Sequence, residues 1–337
     1  MKIVVSILGG IGDILLLTPI FRVIKTQYKD CEITVLTNYV GKQILEGLET
    51  VDEVCVFKKN RNFISLIYKF WKYDYAFLID LSRRPALIAF LARITNIVGV
   101  AHKRGKYLTK IIEKENTNFY EPYNKAEIFQ ASDLKIDFEK TDLTKLEIGK
   151  ANESDYAYIS KILNSMNFVD KEFIVVAPFS SWREKDWQLS KYISLVEKLT
   201  QAGKKVVVIG SKINEEDVRD KLNFTNCLNL VGKTTITQLM VVIEKASLIV
   251  TSCSGQLHIA GALGTFSLAI YGPTDSRRWA PKHKCKVVKL PLSCIPCDND
   301  KDLSKCKNKL CYEDISVNSI LQEIVTIERN IDNENIL

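Results

Sequence analysis

The chain opens with MKIVVSILGGIGD at residues 1–13, and this stretch is the first indication of its fold. A run of β-branched and apolar residues leads directly into glycines, a pattern typical of a strand followed by a tight turn. Residues 14–28 then show the apolar periodicity of an amphipathic helix. The amino terminus therefore predicts a βα unit.

The same alternation of strand and helix continues along the chain. Further strand-like runs in the first half are EITVLTN, VDEVCVF, YAFLIDL and NIVGVA, and those in the second half are FIVVAPF, KKVVVIG, LNLVG, SLIVTS and SLAIYG. Val/Ile-rich runs without polar alternation are typical of parallel strands covered on both faces. We expect loops and a small helix over 103–145, a helix over 153–166 and a last helix over 317–329.

These patterns predict an α/β protein with two Rossmann-like parallel sheets. A length of 337 residues suits two domains, and we place them at 1–155 and 156–337. Ligands of open parallel sheets lie beyond the carboxyl ends of the strands, so the cleft between two facing domains is the expected site.

Composition narrows the class of protein. Apolar residues make up 46% and charged residues 26%, as in ordinary globular proteins. No apolar run has the length of a membrane-spanning helix and no signal-peptide pattern is present, so we expect a cytoplasmic protein. The net charge of +7 favours an anionic partner without choosing between a nucleic acid, a nucleotide sugar and an acidic membrane surface.

The first candidate site is the glycine turn that ends in Gly12 and Asp13. The GxGxxG dinucleotide pattern fails because Leu15 stands where its third glycine belongs, which disfavours a nicotinamide enzyme. Asp13 has two open interpretations. It caps the helix that begins at Ile14, or it is a general base at the carboxyl end of a strand.

Two loops in the second half have the composition of phosphate sites. Ser180, Ser181 and Lys185 precede a helix predicted over 190–199, although a solvated charged loop would look the same. In TSCSGQLH, Ser254 and Gly255 would open a helix whose first N–H groups are unpaired. His258 follows one turn later and is either part of this site or a core histidine.

Nine cysteines without a secretion signal are better interpreted as thiols or metal ligands than as disulfides. Cys294, Cys297, Cys306 and Cys311 form a C-x2-C-x8-C-x4-C pattern that predicts a structural metal, with zinc the best fit and iron an alternative. Closed coordination by four thiolates argues against a catalytic metal. Four unligated cysteines are the other interpretation.

Cations of the first half are candidates for an anionic acceptor. They are Arg83, Arg84, Lys103, Arg104 and Lys106. A charge run of this kind is otherwise a solvated surface.

Taken together, three segments resemble glycosyltransferase family nine, the lipopolysaccharide heptosyltransferases. They are GGIGDILLLTPIFRVIK, VVAPFSSWREKDWQLSKYISLVEKL and the long stretch from VGKTTITQLM to SRRWAP. The resemblance covers nearly the whole chain and is weakest between residues 100 and 150. It implies a GT-B fold and an inverting, metal-independent transfer of a heptose or related sugar from a nucleotide donor, ADP-heptose being the expected one. It also implies a lipopolysaccharide-core or other anionic lipid-linked glycan as acceptor.

The resemblance also implies roles for single residues. Asp13 matches the family's proposed base and Lys185 its donor-phosphate lysine. The remaining positions expected near the donor are Gly12, Ser180, Ser181, Glu215 or Glu216 on the ribose, and Ser254, Gly255 and His258 of a D-[ST]-G-x-x-H element. Cys253 stands where that element carries its aspartate, which puts the identity of the donor sugar in question.

Two other functions remain open. The chain is a non-catalytic sugar-nucleotide binder if Cys253 abolishes transfer, or a basic zinc-dependent nucleic-acid-binding module. The cysteine spacing matches neither a zinc knuckle nor a ribbon, so nucleic acid is not the expected partner. Peripheral contact with the cytoplasmic face of the inner membrane fits an anionic lipid-linked acceptor.

Overall fold

The computed structural model describes residues 1–58, 61–102, 104–113, 119–138, 141–297, 306 and 310–334. The chain divides into two compact units, Met1–Lys150 and Ala151–Leu337. Each unit contains a six-stranded sheet. Among the helices within the described ranges, none is both long and apolar enough to span a bilayer.

The first unit is built around a sheet of strand order β3-β2-β1-β4-β5-β6, with every neighbouring pair parallel. Its strands are β1 Lys2–Ser6, β2 Glu32–Thr37, β3 Glu53–Val56, β4 Tyr75–Leu78, β5 Asn96–Val100 and β6 Lys110–Ile112. Its helices are α1 Ile11–Leu15, α2 Thr18–Gln27, α3 Tyr39–Leu45, α4 Phe63–Lys69, α5 Arg83–Leu91 and α6 Glu121–Gln130.

The second unit repeats this plan with strand order β12-β11-β10-β7-β8-β9, again parallel throughout. Its strands are β7 Phe173–Ala177, β8 Lys205–Val208, β9 Cys227–Asn229, β10 Leu248–Ser252, β11 Phe266–Ile270 and β12 Cys285–Val288. Its helices are α7 Glu153–Ser165, α8 Leu189–Gln201, α9 Glu215–Val218, α10 Ile236–Lys245, α11 Gly255–Leu263, α12 Ser276–Trp279, α13 Leu310–Glu313 and α14 Val317–Glu334.

The central strands explain why the apolar runs lack alternation. Strands β7 and β10 are buried along their whole length, and β1 is buried from its second residue onward. A strand with helices on both faces needs apolar side chains on both, so the predicted parallel α/β architecture is confirmed. Because all strands of a sheet run in one direction, the loops that follow them gather at one edge of that sheet.

The helix predicted over 14–28 is two helices. α1 ends at Leu15 and α2 begins at Thr18, with Pro19 in its first turn. Proline has no N–H group to donate and is tolerated in the first turn of a helix but not in its interior. Pro19 therefore explains the break, which the apolar periodicity alone does not predict.

Both sheets have an edge strand that the sequence did not predict. β6 lies in the segment expected to be irregular, and β12 follows the last predicted strand. Both are short, and neither contains a buried residue. The hydrophobic signal used to find the central strands is therefore weak in these two edge strands.

The helices α7 and α14 both pack within the second unit. α7 packs on α10, so the whole helix belongs to the second unit, whereas the predicted division after residue 155 cut through it. α14 packs on α8 and contributes Ile320, Ile324 and Ile327 to the core of the same unit.

Candidate active site

The glycine turn after β1 holds the carboxylate of Asp13 in a fixed place. The backbone N–H of Gly10 donates to Asp13 Oδ2 at 2.9 Å. A Cβ placed on Gly9 would lie only 2.7 Å from the same oxygen. Glycine at position 9 thus leaves the room that this carboxylate occupies.

Asn38, which follows β2, ties the glycine turn to the neighbouring loop. Its Nδ2 donates to the carbonyls of Leu8 and Gly9 at 3.3 and 2.9 Å, and its Oδ1 accepts from Gly41 N at 2.8 Å. Both the amino group and the carbonyl oxygen of the amide are thus used to hold the turn against α3. The sequence analysis missed Asn38, although its place directly after a strand and before a helix is a signal that would have identified it as a cap.

The structure corrects the capping interpretation of Asp13 in one respect. α1 begins at Ile11, so Asp13 is the third helical residue and accepts from the N–H group in front of the helix. Its side chain is half-buried, and it forms no salt bridge within the described ranges. One carboxylate oxygen accepts from the glycine turn, and the other has no hydrogen-bond partner among the described residues.

The loop after β7 contains the predicted phosphate-binding residues. Ser180 N–H donates to Asp186 Oδ1 at 2.8 Å, and Ser180 Oγ donates to the carbonyl of Trp182 at 2.7 Å, while Ser181 is exposed. The ammonium of Lys185 lies 4.6 Å from the centre of the Trp182 ring and forms no ion pair with any described residue. The loop is therefore folded on itself and presents a cation whose charge is not neutralised.

The loop after β10 opens α11 as predicted. The side chain of Ser254 caps the helix by accepting from Leu257 N–H, and Ser254 Oγ lies 3.0 Å from Thr251 Oγ1. Gly255 is the first helical residue. The N-terminus of this nine-residue helix thus faces the carboxyl edge of the second sheet, where its first N–H groups suit an anion.

These two loops are joined because β7 and β10 are neighbours in the sheet. Trp187 N–H donates to Ser252 Oγ at 3.3 Å, and Thr251 Oγ1 donates to the carbonyl of Ala177 at 3.0 Å. Lys185 and Ser254, 69 positions apart in the sequence, therefore lie on two connected loops at one edge. The sequence predicted each loop, and the parallel pairing explains why they meet.

Glu215 and Glu216 differ in what they contact. Glu216 forms an ion pair with Arg219 on the surface. Glu215 forms neither a hydrogen bond nor an ion pair with a described residue, and it lies beside Gly232, where an added Cβ would stand 3.3 Å from its Oε2. Of the two acids at this edge, Glu215 is the one with a carboxylate available to a ligand.

Tyr312 of α13 supports the loop after β7 and was not among the predicted site residues. Its hydroxyl donates to the carbonyl of Lys185 at 2.5 Å, and burial raises the pKa of this phenol well above its usual value. Its ring lies so close to Gly272 that a Cβ there would collide with it. Tyr312 has no sequence signal of its own, because it stands in a polar segment far from the loop.

Cys253 and His258 are both buried. Cys253 belongs to a small apolar cluster with Leu257, Ala269, Tyr271 and Ala280. His258 lies in the first turns of α11 and is 3% exposed. A thiol packed among apolar side chains does not offer the two acceptor oxygens of a carboxylate.

Arg104 requires a correction, because the structure does not present it as a surface cation. The residue is fully buried, and its guanidinium donates to the carbonyls of Leu78, Asp80 and Val100. Leu78 and Val100 are the last residues of β4 and β5, and Asp80 lies two residues beyond the end of β4. The charge of Arg104 thus stabilises main-chain groups instead of meeting an acceptor.

The other acceptor candidates lie at the surface. Arg83 and Arg84 are exposed in the first turn of α5, which Ser82 precedes. Cations at a helix N-terminus oppose the helix dipole, so they do not serve the stability of this helix. Lys106 is exposed, and Lys103 lies outside the described residues.

The four cysteines of the predicted metal site are not arranged as a metal-binding group. No set of three or more Cys, His, Asp or Glu side chains within the described ranges has such an arrangement. Cys297 Sγ donates to the Cys294 carbonyl at 3.1 Å. Burial, and then the charges of Cys306, Cys297 and Cys294, raise the pKa of Cys311 to about 11, so the four thiols share one region. The structure does not support the prediction beyond this proximity.

Comparison with known proteins identifies the family. The family model for glycosyltransferase family 9 (heptosyltransferase) matches residues 66–308. Lipopolysaccharide heptosyltransferase 2 of Salmonella typhimurium is 25% identical over 321 residues, which cover 86% of this chain and 88% of the relative.

Two solved structures share the fold. A family 9 glycosyltransferase of Veillonella parvula has a TM-score of 0.80 at 21% identity and covers 97% of this chain and 96% of its own. The E. coli ADP-heptose LPS heptosyltransferase II has a TM-score of 0.76 at 20% identity. The match covers 98% of this chain and 100% of the E. coli chain. Since the family model matches well over half of the sequence, the chain belongs to glycosyltransferase family 9 and is a glycosyltransferase of the heptosyltransferase family.

Proposed function

We propose that this enzyme transfers a heptose or a closely related sugar from ADP-heptose to a lipopolysaccharide-core or similar anionic glycan, with inversion at the anomeric carbon and without a catalytic metal. The proposal depends on the ammonium of Lys185, which forms no ion pair with a described residue. This lysine lies on a loop that is hydrogen-bonded to the segment preceding the N-terminus of α11. The names of the Salmonella and E. coli relatives supply the sugar and the acceptor class.

The second unit holds the donor in this proposal. A lysine charge and the first N–H groups of a helix both stabilise a diphosphate, and they stabilise it more as negative charge grows during departure. Ser180, Ser181, Ser254 and Gly255 line the same edge, and Glu215 is available to accept from the ribose hydroxyls. His258 and Gly12 remain candidate donor contacts.

Asp13 of the first unit takes the proton. The acceptor hydroxyl oxygen forms a bond to the anomeric carbon as the bond from that carbon to the diphosphate oxygen breaks. The hydroxyl proton passes to the free oxygen of Asp13, and the electron pair of the broken bond leaves on ADP. A single displacement of this kind inverts the anomeric centre. The charge of Lys185 and the first N–H groups of α11 supply the electrostatic stabilisation that a metal would otherwise give.

The acceptor is proposed to meet the exposed guanidinium groups of Arg83 and Arg84. Both project from the first turn of α5, where helix N–H groups add to the attraction for phosphate or carboxylate. Arg104 is withdrawn from this role because its donors are engaged by main-chain carbonyls.

Donor binding is the direct test. Thermal unfolding of the purified chain is measured with ADP-, UDP- and GDP-sugars, since a ligand at a hundred times its Kd adds about 2.7 kcal/mol of stability. We expect ADP-sugars to stabilise most, and Lys185→Gln to weaken their binding roughly 10- to 100-fold through loss of one charged contact. The control Lys198→Gln removes an exposed lysine of α8 and leaves binding unchanged.

Product analysis separates the alternatives. Transfer to a heptose-acceptor core glycan from ADP-heptose is the expected result. Stabilisation by ADP-heptose with neither transfer nor hydrolysis would make the chain a sugar-nucleotide binder. This is the outcome expected if Cys253, in place of the family's aspartate, abolishes transfer. Preference for a UDP- or GDP-sugar would overturn the proposed donor.

We further propose that Cys294, Cys297, Cys306 and Cys311 hold a structural zinc or iron ion. The C-x2-C turn and the shared region of the four thiols support it. We expect about one metal ion per chain by mass spectrometry, as for a four-thiolate site. Cys294→Ser lowers both the metal content and the unfolding temperature, whereas Cys55→Ser in the first unit leaves the metal content unchanged. A metal-free protein with an unchanged unfolding temperature in Cys294→Ser would contradict the site.

A further inference from the structure

The positive charge of the chain is concentrated in one segment of the first unit. Residues 54–112 contain twelve Lys and Arg but only two acids, Asp74 and Asp80, a net charge of +10 where the whole chain carries +7. The remainder of the molecule is therefore slightly acidic. This segment contains α4, α5 and the turn that follows β5.

α4 presents an apolar stripe to solvent. Ile64 and Tyr68 stand one turn apart on the helix, and Trp71 lies two residues beyond its end; their exposed fractions are 68%, 74% and 44%. The opposite side of the helix already buries Leu66 and Phe70 in the core of the unit. The outer stripe thus has no structural role in the core, and an exposed row of this kind marks an interaction surface.

α5 extends this surface. It packs against α4 and exposes Phe90 and Leu91, with fractions of 52% and 41%. The ends of the two helices are joined where the Arg93 guanidinium stacks 5.4 Å from the centre of the Trp71 ring and where Lys72 N–H donates to the Ala92 carbonyl at 2.9 Å. Lys72 and Arg93 are themselves exposed at this junction.

We propose that this aromatic-basic patch, formed by Ile64, Tyr68, Trp71, Phe90, Lys72 and Arg93, docks the enzyme on the surface of an anionic phospholipid bilayer. Tryptophan and tyrosine side chains favour the level of the lipid headgroups, because one end of each is apolar and the other polar. Lysine and arginine beside them attract anionic headgroups and lay their aliphatic stems on the apolar layer.

Charge decides between a bilayer and a second copy of the chain. Two copies related by a twofold axis would bring the same strongly positive segment face to face, which like-charge repulsion disfavours. An anionic membrane offers the opposite charge over the whole patch. The patch contains none of the residues assigned to the donor or the acceptor, so the proposal does not depend on the identity of either.

Vesicle flotation of the full chain tests the proposal. We expect binding to vesicles of phosphatidylethanolamine with phosphatidylglycerol, weak binding to pure phosphatidylcholine, and a decrease as salt screens the charges. Lys72→Gln with Arg93→Gln should lower the partition coefficient roughly fivefold for each cation removed. Tyr68→Ser with Trp71→Ser should abolish flotation. Tyr158→Ser is the matched control, since Tyr158 is an aromatic of the second unit that is 46% exposed, close to the 44% of Trp71.

The unfolding temperature and the oligomeric state are measured for every variant. Wild-type unfolding temperature and ADP-sugar stabilisation in every variant show that the fold is intact, because the substituted side chains are exposed. Equal binding to neutral and anionic vesicles, or flotation that survives loss of Tyr68 and Trp71, overturns the proposal. So does a dimer in solution that the patch variants convert to a monomer, since the patch would then be covered by a second copy.

Discussion

Replacing Asp13 with asparagine is expected to reduce kcat roughly 100- to 10,000-fold while leaving the Kd of the donor nearly unchanged. Asparagine keeps an oxygen that accepts from Gly10 N–H, so the turn and the first residues of α1 remain in place. It loses only the ability to take a proton. The measurement is steady-state transfer together with donor binding followed by thermal shift.

Asp13→Ala provides the comparison that separates catalysis from capping. Alanine removes both the base and the hydrogen bond to Gly10, so it should add a stability loss of about 0.5–1.5 kcal/mol to the same loss of turnover. An asparagine variant with wild-type turnover would assign Asp13 to the helix alone. Gly9→Ala is a second probe, because its Cβ would displace the carboxylate without changing its chemistry.

The central part of the fold could be predicted from the sequence because burial on both faces leaves a strong pattern. Val175, Val176 and Val250 are fully buried in strands that the apolar runs identified. The loops that follow those strands were predicted for the same reason, since a βα turn with glycine or hydroxyl residues is visible locally. Parallel pairing then places Ser180 and Ser254 at one edge without further information.

What the sequence could not predict depends on contacts between distant segments. Tyr312 supports the carbonyl of Lys185 across 127 positions, and no local pattern connects them. Glu215 and Glu216 are adjacent and chemically identical, so only the ion pair of Glu216 with Arg219 separates them. The short edge strands β6 and β12 have no buried residue, so the apolar pattern used to predict strands is weak in both.

Arg104 shows the same limit most clearly, because its sequence context is that of a surface cation. KRGK lies in a polar, basic stretch of the chain, yet this arginine is fully buried. Gly99 provides the space for it, since a Cβ on Gly99 would lie 3.1 Å from the guanidinium nitrogen Nη2. The absence of a side chain at Gly99 on β5 therefore makes the space that the guanidinium of Arg104, five residues later, occupies.

Arg104→Met is accordingly expected to destabilise the first unit by about 3–5 kcal/mol, because three hydrogen bonds from a buried charged donor are lost and each contributes about 1.5–3 kcal/mol. Methionine retains most of the apolar stem but leaves the carbonyls of Leu78, Asp80 and Val100 without their donor. Each buried carbonyl left unsatisfied costs about 1–3 kcal/mol, although such losses are not additive. Calorimetry should show the unfolding temperature of this unit falling by about 10 °C.

Arg83→Met is the matched control, since it removes an exposed arginine of the same unit and should change the free energy of unfolding by less than about 0.5 kcal/mol. Arg104→Lys should fall between the two, because one ammonium cannot reach three carbonyls as the planar guanidinium does. If Arg104→Met instead unfolded like the wild type and raised only the KM for the acceptor, the guanidinium would be a substrate contact and its assignment to the main chain would be wrong.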